Sequence, residues 1–128
     1  MDAEPLLIVD GANVVGSRPD GWWRDRAGAA ARLRDRLVPL ADHGLPPELS
    51  PPVEVVLVVE GAARDVPGVP GVRTVGAPGS GDDTIVELVA ADPQRRRLVV
   101  TADRELRVRV GALGAEVHGP RWLRGEAG

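Results

Sequence analysis

Short apolar runs alternate with amphipathic stretches along the chain. The runs are rich in Val, Leu and Ile, and most of them end next to Gly, Asp or Glu. Continuous apolar runs of this length are typical of strands buried on both faces of a parallel sheet. The pattern predicts five strands, at residues 6–9, 53–59, 72–75, 98–101 and 115–118.

Three stretches between the strands predict helices. Residues 22–41 place apolar side chains at helical spacing, with Arg and Asp between them. Residues 80–91 begin with Ser80 and two acids, which is typical of a helix N-terminus. A third helix is expected at residues 103–113, and a single turn around Trp122.

The order of these elements indicates the fold class. Residues 45–52 and 61–71 are rich in Pro and Gly and predict loops. Strands that alternate with helices favour an open parallel α/β sheet with right-handed crossovers. We expect one domain over residues 1–128, with a flexible tail at 124–128.

The composition excludes several chemistries. The chain has no Cys, and all 16 of its basic residues are Arg. This rules out thiolate metal sites, thiol nucleophiles, Schiff bases and the Lys-containing phosphate loop. No apolar run approaches the ~20 residues of a membrane span, and the acidic start of the chain is unlike a secretory signal. We expect a cytoplasmic protein with no membrane segment.

Acidic residues follow four of the five predicted strands. Because the carboxyl ends of parallel strands meet at one edge of a sheet, these side chains should lie together, with Asp10 and Asp103 side by side if their strands are neighbours. Crowded carboxylates repel, and a cation relieves the repulsion. Hard oxygen ligands without sulfur select Mg²⁺ or Mn²⁺, ions that serve phosphodiester hydrolysis. The candidates are Asp10, Asn13, Asp82, Asp83 and Asp103.

Each of these acids also has a structural interpretation. Asp10 followed by Gly11 is a common turn signal. Ser80 with Asp83 fits a capping box, and Asp82 or Asp103 fits an ordinary N-cap. Further acids that compete for a fourth ligand position are Glu60, Glu87 and Glu105. The shared sheet edge favours a common site over a set of unrelated caps.

The basic and aromatic residues suggest contacts with nucleic acid. The formal net charge of −3 argues against broad nonspecific duplex binding, but not against a local basic rim. Arg18, Arg104 and Arg107 follow predicted strands and are candidates to hold substrate phosphates. The run at residues 95–97 is expected to be a solvated loop. Trp22 and Trp23 either stack on bases or fill the core.

Four motifs together resemble a known nuclease family. They are, in order, Leu-Ile-Val-Asp-Gly-Ala-Asn at 7–13, Gly-Asp-Asp-Thr-Ile at 81–85, Val-Val-Thr-Ala-Asp-Arg-Glu-Leu at 99–106 and Gly-Ala at 114–115. The ordered set resembles the NYN domains of the PIN-like nuclease superfamily, most closely the YacP-like branch. It spans nearly the whole chain, from Leu6 to Leu123.

The resemblance implies a Rossmann-like α/β/α sandwich with a central parallel sheet and metal-dependent cleavage of RNA. Some YacP-like relatives cleave messenger RNA in association with the ribosome. By position, Asp10 resembles the first metal-binding Asp, Asn13 its accompanying amide, and Asp103 the Asp after the fourth strand. Asp82 matches the Asp-x-x-Ile pattern, with Asp83 the close alternative. The branch often has an acid after that Ile, where this chain has Val86.

These observations predict a Mg²⁺- or Mn²⁺-dependent endoribonuclease that acts on RNA, with messenger RNA at the ribosome as one expected substrate. Two alternatives stay open. One is an inert RNA- or ribosome-binding module on the same fold, and the other is a phosphatase or nucleotide hydrolase for small substrates. The oligomeric state and a toxin–antitoxin role are left open by the sequence.

Overall fold

Five parallel strands form the central sheet of the computed structural model, which describes residues 4–18 and 20–124. Apart from the backbone of Arg124, the predicted tail at 124–128 lies outside the described residues. The strand order is β3-β2-β1-β4-β5. The strands are β1 (Leu6–Asp10), β2 (Glu54–Val59), β3 (Val72–Gly76), β4 (Arg97–Val100) and β5 (Glu116–His118). The predicted five-stranded parallel sheet is therefore confirmed.

Helices cover both faces of the sheet. Three short 3₁₀ turns accompany them, at Trp22–Arg24, Gly61–Ala63 and Pro120–Arg124. The α-helices are α1 (Gly11–Gly16), α2 (Arg26–His43), α3 (Gly81–Ala91) and α4 (Arg104–Gly111). No helix within the described ranges is long and apolar enough to cross a membrane.

Alternation along the strands divides the core into two layers. Leu7 and Val9 point to one face, where they pack with residues of α1 and α2 such as Leu33. Leu6 and Ile8 point to the other face and pack with residues of α3 and α4, including Ile85. Each fully buried Val or Leu contributes about 1.5–3 kcal/mol. The chain is thus a three-layer α/β/α sandwich, as expected.

The sheet order places a topological switch between β1 and β4. From β1 the chain adds β2 and then β3 on one side, and it returns to add β4 and β5 on the other. In open α/β sheets the crevice at such a switch is the usual ligand site. The edge formed by the carboxyl ends of β1 and β4 therefore has the location expected of a functional site.

The observed helices differ from the predicted ones in two places. The stretch at 22–41 is divided at Asp25, whose non-helical backbone interrupts the helix and whose Oδ1 accepts a hydrogen bond from the Gly28 amide at 2.9 Å. Helix α1 was not predicted, because six residues that begin with Gly are too few to show helical periodicity. Gly11 is required there, since a Cβ atom would lie 2.5 Å from the Val58 carbonyl oxygen.

The prediction of a solvated Arg run is wrong for Arg97. This residue begins β4 and is 5% exposed. Its guanidinium donates to the carbonyl oxygens of Val89 at 2.7 Å and Leu113 at 2.9 Å. These carbonyls lie in the last turn of α3 and just after α4, where the helix dipoles favour a positive charge.

Candidate active site

Asp10 lies at the carboxyl end of β1 and is 5% exposed. It is also the N-cap of α1, because its Oδ1 accepts a hydrogen bond from the Asn13 amide at 3.4 Å. Its Oδ2 accepts a hydrogen bond from the Thr101 hydroxyl at 2.8 Å. Both carboxylate oxygens are therefore held in place by neighbouring residues.

Thr101 and Asn13 connect the ends of β1 and β4. The fully buried Thr101 Oγ1 accepts a hydrogen bond from the Asp103 amide at 3.1 Å, so one hydroxyl contacts both aspartates. Asn13 Oδ1 accepts a hydrogen bond from the Ala102 amide at 2.8 Å. Thr101 was not predicted to have a role at the site. Its position directly after β4 and two residues before Asp103 was the available signal.

Asp103 is both a helix cap and part of this edge. Its Oδ1 accepts a hydrogen bond from the Leu106 amide at 3.1 Å, which makes it the N-cap of α4. The cap uses one carboxylate oxygen and leaves the negative charge at the edge of the sheet. The capping interpretation is therefore correct for Asp103, and it is compatible with a role in the site.

The first turn of α3 approaches the same edge. Glu60, directly after β2, accepts a hydrogen bond through Oε2 from the Gly81 amide at 2.6 Å and so holds the start of α3. Ser80 caps this helix by accepting from the Asp82 amide at 3.2 Å, not from Asp83 as the predicted capping box requires. This arrangement leaves Asp82 half-buried.

The four acids at this edge interact electrostatically. The pKa of Asp10 is raised to about 6, chiefly by burial. The charges of Asp82 and Glu60 also raise this pKa, whereas the hydrogen bonds from Thr101 and Asn13 lower it. Burial also raises the pKa of Asp82, and Asp103 and Glu60 add to the effect. Asp10, Glu60, Asp82 and Asp103 are called the acidic edge below.

The acidic edge offers oxygen donors but no preformed metal cage. Within residues 4–18 and 20–124, no group of three or more Asp, Glu, His or Cys side chains is placed to hold one metal ion. Mg²⁺ commonly binds through one or two carboxylates and completes its coordination with water and substrate phosphates. The oxygen donor set of the acidic edge fits that mode of binding.

Several predicted acids lie away from the acidic edge. The side chain of Asp83 is 75% exposed and pairs with Arg109 at 3.0 Å. Glu87 and Glu105 are exposed on the surfaces of α3 and α4. Of the three candidates for a fourth acid, Glu60 is the one that interacts with both Asp10 and Asp82.

The predicted phosphate-binding arginines do not form one cluster. Arg104 is exposed at the first position of α4, directly after Asp103. Arg107 is exposed further along the same helix. Burial is the main cause that lowers the pKa of His118, and the charge of Arg107 lowers it further, so Arg107 lies on the side of α4 near His118. Arg18 lines a different cavity, of about 320 Å³, together with Arg32.

His118 has a structural role. Its ring stacks on Trp122 with centroids 4.0 Å apart and an angle of 13° between the planes. Burial is the main cause that lowers the pKa of His118, which favours the neutral ring. Trp122 packs against the core layer beneath α1 and α2. Both residues therefore stabilise the fold.

Comparison with solved structures identifies a similar fold. A crystal structure of a mutant of Rae1 (YacP) from Bacillus subtilis matches with a TM-score of 0.69 and 19% sequence identity, over 94% of this chain and 72% of that chain. The chain has a YacP-like fold. No protein-family model and no curated protein matches the sequence. At this identity the likeness shows the fold alone.

Proposed function

We propose that the protein is a Mg²⁺- or Mn²⁺-dependent endoribonuclease whose active site is the acidic edge. The observation that carries the proposal is the pair of aspartates, Asp10 and Asp103, joined through one buried Thr101 hydroxyl at the topological switch. Keeping a carboxylate as buried as Asp10 beside other acids costs stability, and perturbed acids of this kind cluster at functional sites. The YacP-like fold and the sequence motifs support RNA as the substrate.

Each residue of the edge has a role that follows from its contacts. One or two of the carboxylates of Asp10, Asp82 and Asp103 would hold the metal, with water and RNA phosphate completing its coordination, and Glu60 is a further acid of the edge. When bound, Mg²⁺ or Mn²⁺ supplies a positive charge that activates water and stabilises the phosphate oxygens. Asn13 Oδ1 accepts a hydrogen bond from the Ala102 amide, which directs the oxygen of the side chain toward β4, and its NH₂ group would donate to a phosphate oxygen. Thr101 is a positioning residue that holds both aspartates.

The substrate backbone requires positive charge next to the acids. Arg104 directly follows Asp103 and is exposed, so it is the predicted arginine best placed to contact an RNA phosphate. Arg18 and Arg107 would contact the RNA further from the reacting phosphate. Messenger RNA at the ribosome is the substrate that the resemblance to the YacP-like branch suggests.

Cleavage of an internally labelled, partly structured RNA tests this proposal. We expect internal products with Mn²⁺ or Mg²⁺ and none in EDTA. Excess nucleoside monophosphate should not compete, because a nuclease of this kind recognises the chain. Strong competition by mononucleotides, with release of inorganic phosphate from them, would instead indicate a phosphatase or nucleotide hydrolase.

One observation favours a second candidate, an inert RNA-binding module. The described residues contain no preformed group of three metal ligands. A module that binds RNA without cleaving it would need no such group. Such a module would bind the same RNA equally well in EDTA and Mn²⁺ and yield no product in either. An endoribonuclease yields product with metal, so one assay separates the two.

A further inference from the structure

A cavity of about 410 Å³ opens beside the acidic edge. Its wall includes Gly11 and Ala12, which directly follow Asp10, and Glu60, which belongs to the edge itself. The wall also includes Trp22 and Arg26, from the segment that precedes and begins α2. The cavity thus connects the proposed reaction site with an aromatic residue that the proposed function does not use.

The aromatic wall is built for contact with a planar ring. Trp22 is half-buried, and the guanidinium of Arg26 lies 5.4 Å from its ring centroid. Trp23 packs edge-on against Trp22, with centroids 5.9 Å apart and planes at 86°. Trp23 itself is 52% exposed, so of the two alternatives left open for it, filling the core does not hold. Tryptophan and arginine side chains together form stacking surfaces for nucleobases.

The part of the wall formed by Glu60 and Ser80 carries hydrogen-bonding groups suited to the edge of a base. Glu60 uses Oε2 to hold the Gly81 amide, and a carboxylate oxygen also accepts hydrogen bonds from exocyclic amines. The Ser80 hydroxyl accepts from the Asp82 amide and can donate to a second partner. Gly79 also lines this wall, and a Cβ atom there would meet nothing within 4 Å.

We propose that this cavity binds a single nucleobase of the RNA, from a nucleotide next to the phosphate at the acidic edge. Its volume of about 410 Å³ lies within the range of small-molecule pockets, about 300–1,000 Å³. A base of a duplex reaches such a cavity only after it is unpaired and turned out of the stack. The site therefore selects single-stranded or flipped-out nucleotides. This inference rests on the proposed function for the position of the phosphate, but the binding of the base requires no catalysis.

The test compares binding of two oligomers in EDTA, so that no cleavage occurs. One is a fluorescein-labelled single-stranded 12-nucleotide RNA of mixed sequence, and the other is a 12-nucleotide ribose-phosphate oligomer without bases. We expect Trp22→Leu to weaken binding of the RNA roughly 5- to 100-fold, the range that base–aromatic stacking contributes. Its affinity for the abasic oligomer should stay within about two-fold of wild type, because no stacking is lost there.

Two further variants show whether the effect is specific. Trp22→Phe keeps an aromatic face and should restore most of the affinity. Gly79→Leu adds bulk at a wall where the fold has open space, so it should fold normally and weaken only the binding of RNA. Circular dichroism and melting temperature verify that each variant is folded.

Several results would overturn the inference. Equal losses for both oligomers would show a purely electrostatic contact, and no loss for Trp22→Leu or Gly79→Leu would show that the base binds elsewhere. Competition by free nucleoside monophosphate at the affinity of the RNA would show a mononucleotide site. If cleavage fails but base-dependent binding is observed, the proposed catalysis is wrong and the pocket stands. If the protein cleaves RNA but its binding does not depend on the bases, the proposed catalysis stands and the base pocket is wrong.

Discussion

At the scale of single residues, Asp10 is the side chain with the clearest electrostatic cost. Its pKa is about 6 in the folded protein, against 3.8 for the ordinary group, chiefly because it is buried. The protonated carboxyl therefore favours folding. This contribution is fully present below about pH 4 and is lost as the pH rises through about 6. The shift corresponds to about 3 kcal/mol at neutral pH.

Asp10→Asn should accordingly be more stable than wild type in EDTA at pH 7.5, by up to about 3 kcal/mol. The amide is uncharged and has the shape of the carboxyl, so it removes the cost of the buried charge. Urea denaturation at pH 7.5 and pH 4 measures the effect, and the difference should nearly vanish at pH 4. An equal difference at both pH values would contradict the assigned pKa.

The neighbouring pair Asp82 and Asp83 offers a matched comparison. Asp82 is half-buried and interacts with Asp103 and Glu60, whereas Asp83 is exposed and pairs with Arg109. We expect Asp82→Asn to lower RNA cleavage by more than about 100-fold, since the acids that hold a catalytic metal supply several kcal/mol. Asp83→Asn should cleave within a few-fold of wild type. Equal losses in both variants would contradict this assignment.

The sequence predicted part of this edge at residue resolution. Asp10, Asn13 and Asp103 were predicted to lie together because each follows a strand. Asp82 and Asp83 were left as alternatives. Neighbouring residues in the first turn of a helix point in different directions, and tertiary packing decides which of the two side chains faces the sheet edge. Thr101 was missed because a hydroxyl at the end of a strand has no distinctive pattern. Only its contacts with both aspartates reveal its role.

At the scale of secondary-structure elements, Arg97 secures the ends of two helices. Its buried guanidinium donates to carbonyl oxygens at the ends of α3 and α4. Arg97→Met should therefore destabilise the protein by about 3 kcal/mol, because buried carbonyls lose charge-assisted donors. Urea denaturation at pH 7.5 gives the free energy of unfolding.

Arg96→Met is the control for this change. Arg96 is exposed and forms an ion pair with Glu116 at 2.6 Å. Exposed ion pairs contribute about 0–1 kcal/mol, so this variant should be close to wild type. A larger effect for Arg96→Met than for Arg97→Met would contradict the proposed role of the buried side chain.

The elements themselves were predictable where hydrophobic periodicity is strong. All five strands were expected, because apolar runs bounded by Gly and acids are distinctive. The break at Asp25 was missed, since apolar spacing continues across it while the N-cap is set by one side chain. Arg97 was placed in a loop because three successive arginines look solvated, and the helix ends that bury it come from distant sequence.

At the scale of the whole molecule, the strand order brings the acids together. The parallel sheet was predictable from the alternation of elements, but its order was not, because local patterns do not specify which strands pair. The observed order places β1 next to β4 and so brings Asp10 and Asp103 together, although they are far apart in sequence. The cavity beside Trp22 likewise depends on packing among α1, α2 and β2.

We propose that the acidic edge cleaves RNA, and its location follows from the strand order. The most direct measurement compares Asp103→Asn with Asp42→Asn in Mn²⁺-supported cleavage of an internally labelled RNA, with the melting temperature of each. Asn is a good N-cap, so Asp103→Asn should keep its α4 cap and its stability. Asp42 is exposed near the end of α2, at the opposite edge of the sheet. Asp42→Asn is therefore the same chemical change made away from the acidic edge.

We expect Asp103→Asn to lose more than about 100-fold in cleavage rate while its melting temperature is unchanged or higher. Asp42→Asn should cleave like wild type. Cleavage at the wild-type rate by a folded Asp103→Asn protein would show that the active site is not at the acidic edge. A loss of activity accompanied by a large loss of stability would show that Asp103 acts only as the cap of α4.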